Sequence, residues 1–258
     1  MSLELIKEIR QITGAGMSDV KKALDEANGD RAKAIEFLRK RGQKIAAKKS
    51  DREVKEGVIA FEQQTNKVAI VALACETDFV AKNEDFKAAV KELAVKLMAI
   101  GKTEFEAWAT KYIQDELIVK IGENIKLLNF DIFEGDFVIG RYLHSNKKVA
   151  SVVALNGGNE TLANEIAMHA TAMAPSYIKP EDVPAEIIDK EKEIYIEQLK
   201  KENKPADVMA KILEGKVKKF YTEVCLIKQA FIKDDKKSIE KLLQENDATI
   251  ENFVYYSL

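Results

Sequence analysis

Two short apolar runs of similar composition divide the chain into related halves. The first reads KVAIVAL from Lys67, and the second reads KVASVVAL from Lys148. Short uninterrupted apolar runs are typical of strands that are covered on both faces. Each run follows a strand-like stretch that starts at a glycine, 57–61 or 140–143, and each precedes a helical pattern. The chain is therefore predicted to contain two related α+β subdomains, each a small sheet covered by helices.

The first of several helical patterns follows residue 82, with Phe86, Val90, Leu93 and Leu97 at spacings of three or four residues. Asn83 is the predicted N-cap of the first of these helices. Further elements are predicted over residues 103–121 (helix), 125–133 (strand), 236–245 (helix) and 249–256 (strand). At about 184–227, two helical patterns flank the polar turn 200–204. This arrangement predicts an antiparallel helical hairpin inserted into the second subdomain.

The first 54 residues follow a separate pattern of three short helices and a polar tail. Asp30 is predicted to cap the third helix, which ends at Gly42, and residues 43–54 lack large apolar periodicity, as a tether would. Gly14 and Gly16 lie in the first turn, where a positive φ is often needed. The predicted domains are 1–54 (module and linker), 55–139 (first subdomain) and 140–258 (second subdomain).

Composition limits the class of protein. The chain has 258 residues, of which 46% are apolar and 33% charged, as in a globular protein with several cores. Residues 1–54 carry 13 basic and 9 acidic side chains. The basic cluster within 39–52 has no interleaved aromatic residue, which favours a solvated face over a nucleic-acid site. No apolar stretch approaches the roughly 20 residues of a membrane helix, and no secretory signal pattern begins the chain, so a cytoplasmic protein is expected.

No group of residues has the pattern of a catalytic or metal site. Cys75 and Cys225 lie in apolar patterns without metal-ligand spacing and are expected to be buried thiols. His169 lies in an amphipathic helix and is expected to be structural, whereas His144 ends a strand and should be accessible. The segment at Gly14 lacks the lysine and the preceding strand of a phosphate loop. We therefore predict a protein that is not an enzyme and has no metal or cofactor.

The heptapeptide TDFVAKN, residues 77–83, is the most informative segment. It follows the first apolar run and precedes the helix capped by Asn83, so Asp78 and Phe79 share a tight strand-to-helix connection. A carboxylate beside an aromatic ring, without a nucleophile or base, suits contact with a partner better than bond chemistry. From this segment alone, the commoner outcome is that Phe79 packs under its own helix while Asp78 helps to cap it.

Several segments resemble motifs of the elongation factor Ts family. TDFVAK from Thr77 and TGAGMSDVKKAL from Thr13 are two long matches in the right order. The further matches are KIGENI from Lys120, IAMH from Ile166, YIKP from Tyr177 (where the family more often has phenylalanine) and EGKVKKF from Glu214. Two independent long matches favour an outward-pointing Phe79. They also imply an α+β protein whose N-terminal three-helix module resembles the ubiquitin-associated fold, followed by the two subdomains and the hairpin.

The resemblance implies a guanine nucleotide exchange factor that binds elongation factor Tu with GDP and supports translation elongation. The residues implied to disturb the Mg²⁺ site of that partner are Thr77, Asp78, Phe79 and Val80. His144 is implied to reach its phosphate-loop side, and the N-terminal module is implied to bind it through Gly14, Gly16, Met17 and Lys21. No cofactor, nucleic acid or membrane is implied, and a higher-order heteromer is allowed.

Two alternatives come from other classes of protein. One is an adaptor whose N-terminal module binds ubiquitin-like partners, for which the TDF motif has no use. The other is an RNA-binding translation protein that uses residues 39–52. Some members of the family continue past the final strand into a helix that contacts the GTPase, and contacts of that kind are not expected for a sequence that stops at Leu258.

Overall fold

The computed structural model describes residues 2–201 and 206–258. These residues group into two compact units. Unit 1 contains the chain up to Glu134 together with 145–148 and 258, and unit 2 contains 135–144 and 149–257. Within the described ranges, no helix combines the length and the apolar character needed to cross a membrane.

Unit 1 begins with three helices around a small apolar core. They are α1 (Leu3–Thr13), α2 (Met17–Glu26) and α3 (Arg31–Lys49). Asp30 caps α3 as predicted, because its Oδ1 accepts the N–H of Lys33 at 3.1 Å. Gly14 ends α1 with φ of 65°, whereas Gly16 has φ of −62° and is the N-cap of α2. The expected positive φ therefore applies to the first glycine only.

Helix α3 continues to Lys49, so the prediction that it ends at Gly42 is wrong. Beyond the buried Gly42, the helix lies against the following part of unit 1: the amide of Gln43 donates to Asp115 at 2.7 Å. Val119 in turn packs against the core of the N-terminal helices. Tertiary contact thus outweighs the weak helix propensity of glycine, and residues 43–49 are helix rather than tether.

The rest of unit 1 is a three-stranded antiparallel sheet with helices. The strand that comes second along the chain is also the central strand of the sheet. The strands are β1 (Glu56–Gln64), β2 (Lys67–Cys75) and β3 (Ile125–Glu134), in the order β1-β2-β3. The helices are α4 (Asp78–Lys82), α5 (Glu84–Tyr112) and α6 (Ile118–Ile121), with a π-helical turn over Ile113–Leu117. Gly101 kinks α5, so the helix predicted over 103–121 is the second part of α5 with the π turn and α6.

Unit 2 repeats the sheet plan and adds two insertions. Its sheet has the order β4-β5-β8, formed by β4 (Val138–Leu143), β5 (Val149–Asn156) and β8 (Thr249–Ser257). The other elements are α7 (Glu160–Met173), α8 (Ala185–Lys201), α9 (Ala206–Val224), β6 (Ala230–Phe231), β7 (Asp234–Ser238) and α10 (Ile239–Gln244). The small β6–β7 hairpin was not predicted, because its short polar strands lack alternating apolar positions.

The two apolar runs become the central strands of their sheets, β2 and β5. Both strands carry the same irregularity at an Ala-Leu pair: the register with the third strand shifts between Ala72 and Leu73, and between Ala154 and Leu155. Bulges bend a strand at a defined point, and they are specific features of a sheet. The shared shift agrees with the prediction of two related halves.

Helices α8 and α9 pack together as the predicted antiparallel hairpin. Lys216 donates to Gln198 at 3.1 Å, and its Nζ lies 5.0 Å from the ring centroid of Tyr195. Nearer the base, Ile188 shares an apolar cluster with Phe220. The predicted turn over 200–204 lies largely outside the described residues.

His169 is buried and structural, as predicted. Its Nδ1 accepts the N–H of Ile232 at 3.3 Å, and its Nε2 lies 3.0 Å from Oε1 of Gln229. Because Nδ1 accepts, the neutral ring must carry its proton on Nε2 and donate it to Gln229. Gln229 then donates to the carbonyl of Glu223 at 2.9 Å. This chain of bonds joins α7, the end of α9 and the β6–β7 hairpin.

The free energy of unfolding should fall as the solution is acidified below the ordinary histidine pKa. Burial lowers the pKa of His169 from its usual value of 6.5, so between the two values the unfolded chain binds a proton that the folded chain does not. The contribution is complete above 6.5 and is lost as the pH falls toward the lowered pKa. Urea denaturation at several pH values measures this slope. His169→Asn should flatten the slope relative to wild type, and an equal slope in the two proteins would contradict the prediction.

Candidate functional site

Phe79 projects into solvent from the one-turn helix α4. Its side chain is 81% exposed, the largest fraction among the exposed large hydrophobic residues that the structure describes. The inward position of α4 is occupied instead by the small side chain of Ala81, which is buried. The alternative in which Phe79 packs under its own helix is therefore wrong. Single exposed apolar residues are common on protein surfaces; this one stands out because it lies in the TDFVAK motif.

Two caps fix the ends of the connection. The hydroxyl of Thr77 caps α4 by accepting the N–H of Val80 at 3.4 Å, so the N-cap is Thr77 and not Asp78. Asn83 caps α5 as predicted, because its Oδ1 accepts the N–H of Asp85 at 2.7 Å. Val80 packs against the core of unit 1. The segment is thus anchored on both sides of Phe79.

Asp78 lies beside the ring and forms a pair along the helix surface. Lys82, one turn later, places Nζ 2.6 Å from Oδ2 of Asp78. This hydrogen bond holds the pKa of the Asp78 carboxyl below its usual range, so the group is an anion at neutral pH. A surface pair of this kind is readily exchanged for another partner, because exposed ion pairs add little to stability.

A charged groove of about 460 Å³ borders Asp78 in unit 1. It is lined by residues of α4, the start of α5, the start of β1 and residues 145–148. Its cationic lining residues are Lys82, Lys87, Lys147 and Lys148. Lys148 pairs with Glu56, at the first position of β1. The exposed ring therefore stands beside a surface rich in lysine.

Glu123, which was not among the predicted site residues, supports this connection. Its Oε2 accepts the N–H groups of Glu76 and Thr77, each at 3.0 Å, and its Oε1 accepts the hydroxyl of Thr77 at 2.5 Å. The antiparallel pairing of Cys75 with Ile125 sets residue 123 opposite residue 77. The sequence signal for this role was the position of Glu123, an acidic residue just before β3, the strand that pairs with β2.

His144 lies in unit 2, directly after β4, and its side chain is exposed as predicted. Its N–H donates to the carbonyl of Val149 at 2.9 Å, which fixes the backbone at the end of the strand pair. The hydroxyl of Tyr142 lies 3.5 Å from Nδ1 of the ring. The imidazole is therefore available to a partner from a rigid position.

The predicted residues of the N-terminal module gather around the start of α2. Met17 is 44% exposed, and Lys21 is also exposed. Because the two residues are four apart, they share one face of α2. Gly14 and Gly16 shape the turn that precedes this face.

Metal and thiol chemistry find no support in the described part of the chain. No group of three histidine, cysteine, aspartate or glutamate side chains there could hold a metal ion. Both cysteines are buried: burial raises the pKa of Cys75 to about 12 and that of Cys225 to about 11. These thiols stay protonated near neutral pH and are poor nucleophiles.

Comparison with known proteins gives matches along nearly the whole chain. A family model described as "Elongation factor TS" matches residues 76–258. Elongation factor Ts of Hydrogenovibrio crunogenus is 42% identical over 265 residues, which cover 98% of this chain and 90% of the relative. The Hydrogenobaculum protein of the same name is 42% identical over 100% of this chain and 98% of its own. That of Deinococcus deserti is 40% identical over 99% of both.

Proposed function

The chain belongs to the elongation factor Ts family of translation elongation factors, and we propose that it promotes GDP release from elongation factor Tu in the cytoplasm. The observation that carries this proposal is the exposed ring of Phe79, held between two helix caps at the matched TDFVAK motif. The partner provides the nucleotide and its Mg²⁺. The factor provides binding energy and makes no bond.

The mechanism is a reciprocal coupling of two binding events. If this protein weakens the binding of GDP to the partner, then GDP must weaken the binding of this protein by the same factor. Each tenfold acceleration of GDP release needs about 1.4 kcal/mol of selective destabilisation of the bound state. Burial of an exposed phenylalanine ring supplies about 1.5–3 kcal/mol. Insertion of Phe79 into the partner is therefore sufficient for a ten- to hundredfold effect.

Asp78 acts beside the ring on the Mg²⁺ side. Its anionic carboxylate leaves the pair with Lys82 and interacts with groups around the partner's metal ion. Mg²⁺ requires nearly ideal octahedral geometry, so a small displacement of its ligands weakens the binding of the ion. The neighbouring groove carries four lysines and two carboxylates, so its positive charge would attract acidic groups of the partner and speed association.

The N-terminal module contributes affinity. Met17 offers an exposed apolar contact, and Lys21 on the same face offers a charge. The bond between Gln43 and Asp115 holds α3 against the rest of unit 1, so this face is presented in a set position. Gly14 and Gly16 contribute by shaping the turn that precedes this face of α2.

His144→Ala is expected to lower the maximal rate of stimulated GDP release several-fold without changing thermal stability. The proposal gives the ring a contact with the phosphate-loop side of the partner, and its exposed position means that truncation leaves no cavity. Stopped-flow release of fluorescent GDP at saturating factor measures the rate. Tyr142→Phe, which removes the nearby hydroxyl, is the matched control and should retain the wild-type rate. An unchanged rate for His144→Ala would remove this residue from the site.

The RNA-binding alternative is weakened by the partners of the basic cluster. Arg41 pairs with Asp19 at 3.0 Å, and Arg52 pairs with Glu76 at 3.2 Å. Lys49 donates to the carbonyl of Gly122. These neighbouring acidic and carbonyl groups offset part of the positive charge of the cluster, which lowers its attraction for a phosphate backbone.

Release of labelled GDP from purified elongation factor Tu, with and without this protein, tests the proposed function. A concentration-dependent acceleration that saturates is expected. An adaptor for ubiquitin-like partners or an RNA-binding protein would leave the release rate at its intrinsic value. That outcome would refute the proposal.

A further inference from the structure

Glu76 and Glu123, near the helix that carries Phe79, form reciprocal hydrogen bonds: each carboxylate accepts backbone N–H groups from the segment that contains the other. Glu123 accepts the N–H groups of Glu76 and Thr77, at 3.0 Å each. In return, Glu76 accepts the N–H of Asn124 through Oε1 at 2.6 Å. The end of β2 and the start of β3 are thus joined by charge-assisted bonds in both directions, beyond the ladder of the sheet.

The hydroxyl of Thr77 links this exchange to α4. A carboxylate can only accept hydrogen bonds, so the hydroxyl of Thr77 is the donor in its hydrogen bond to Glu123. Its lone pairs are then free to cap α4 by accepting the N–H of Val80. Glu123 therefore sets the orientation of the atom that starts the helix carrying Phe79. The half-buried Thr77 side chain faces the protein's own interior in this arrangement.

The same group is tied to the segment that follows α3. Asn124 is only 3% exposed, and its amide nitrogen donates to the carbonyls of Arg52 at 2.8 Å and Ser50 at 3.5 Å. The guanidinium of Arg52 lies 3.2 Å from Oε2 of Glu76. The Asn124 N–H and the Arg52 guanidinium hold the pKa of Glu76 below its usual range, so it remains an acceptor at neutral pH.

We propose that Glu123 is a positioning residue for Phe79, acting through Thr77 in a clamp formed by Arg52, Glu76, Thr77, Glu123 and Asn124. This inference rests on the proposed function, because it assigns the clamp the task of holding the wedge in its productive direction. It also changes the role of Thr77 from partner contact to internal support.

The physical need for a clamp follows from the length of α4. The helix has five residues, and isolated helices shorter than about 12 residues are not stable in water. Without external support, the segment would sample many conformations, and binding would have to order it at the expense of affinity and rate. A preorganised segment avoids that cost. Through Arg52 and Asn124, the same clamp connects the wedge with the end of the N-terminal helices.

Glu123→Gln and Thr77→Val test the positioning role in the exchange assay. Each is expected to lower the maximal rate of stimulated GDP release about tenfold, with a smaller change in the concentration that gives half the maximal rate. Thr77→Ser, which keeps the hydroxyl, should restore the rate. Glu134→Gln is the matched control: its carboxylate pairs with Lys67 at the opposite end of the same strand pair. It should match wild type.

A double variant separates positioning from general stability. In a Phe79→Ala background, Glu123→Gln should cause no further loss of rate, because there is no ring left to position. A second tenfold loss in that background would show that Glu123 acts on another step and would overturn the proposal. Failure of Thr77→Ser to recover the rate would do the same.

Backbone amide exchange in the isolated protein gives a readout that needs no partner. The amides of Glu76 and Thr77 should exchange with solvent about tenfold faster in Glu123→Gln than in wild type, and at the wild-type rate in Glu134→Gln. Unchanged protection of both amides in Glu123→Gln would refute the clamp. If the wild-type protein itself does not accelerate GDP release, the proposed function fails, and amide exchange still decides whether Glu123 orders this segment.

Discussion

Phe79→Ala is expected to lower the maximal rate of stimulated GDP release at least about tenfold while the protein remains as stable as wild type. Loss of the ring removes about 1.5–3 kcal/mol of apolar contact with the partner. At about 1.4 kcal/mol for each factor of ten, the rate should fall ten- to about a hundredfold. The fold should not respond, because a ring that is 81% exposed leaves no cavity when it is removed.

Two measurements made together test this expectation. Stopped-flow release of fluorescent GDP at saturating factor gives the rate, and thermal unfolding gives the stability. Leu128→Ala is a suitable control, because it truncates another exposed apolar side chain on β3 of the same unit. A wild-type rate in Phe79→Ala would exclude the ring as the wedge. A marked loss of stability would mean that the ring supports the protein's own core.

Gly140→Ala is expected to destabilise unit 2 by about 3 kcal/mol, the upper end of the usual cost of overpacking. A Cβ atom at this position of β4 would lie 2.0 Å from the carbonyl carbon of Ala163 and 2.4 Å from the backbone nitrogen of Asn164. These are backbone atoms of α7, which cannot rotate away as a side chain can. Separation of strand and helix would also break the bond from the N–H of Arg141 to Oδ1 of Asn164, now 2.9 Å long.

Gly215→Ala is the matched control for this substitution. Gly215 lies within α9, and a Cβ atom there would meet no atom within 4 Å. Alanine is favoured over glycine in a helix by about 1 kcal/mol, so this variant should be as stable as wild type or slightly more so. Urea denaturation gives both free energies. Equal stability of the two variants would show that α7 and β4 can separate at little cost.

The parts of the fold that the sequence predicts are those that local periodicity encodes. The central strands β2 and β5 are marked by apolar runs, and Asn83 is marked as a cap by the helical pattern that follows it. Gly42 was misleading because helix propensity is a local quantity. The contact of Gln43 with Asp115 joins residues 72 positions apart and outweighs it.

The candidate site shows the same division. The segment alone favoured a buried Phe79 as the commoner outcome, because a single helical turn is too short to show which of its faces points inward. The motif match reversed that interpretation, and the exposed ring agrees with the match. Glu123 lies in the matched KIGENI segment, but its role could not be predicted, because its partners are 46 and 47 residues away and their proximity depends on the β2–β3 register. A carboxylate in a polar loop gives no local sign of such bonds.

The order of the strands along the chain has a consequence for synthesis on the ribosome. In unit 1, all three strands of the sheet have been made by Glu134. In unit 2, the third strand, β8, begins more than ninety residues after β5 ends. Loop closure over such a separation is slow, and strand β5 leaves the ribosome long before its neighbour on that side exists. Nascent chains that stall within this interval would therefore carry an apolar strand with one open edge, a template for aggregation.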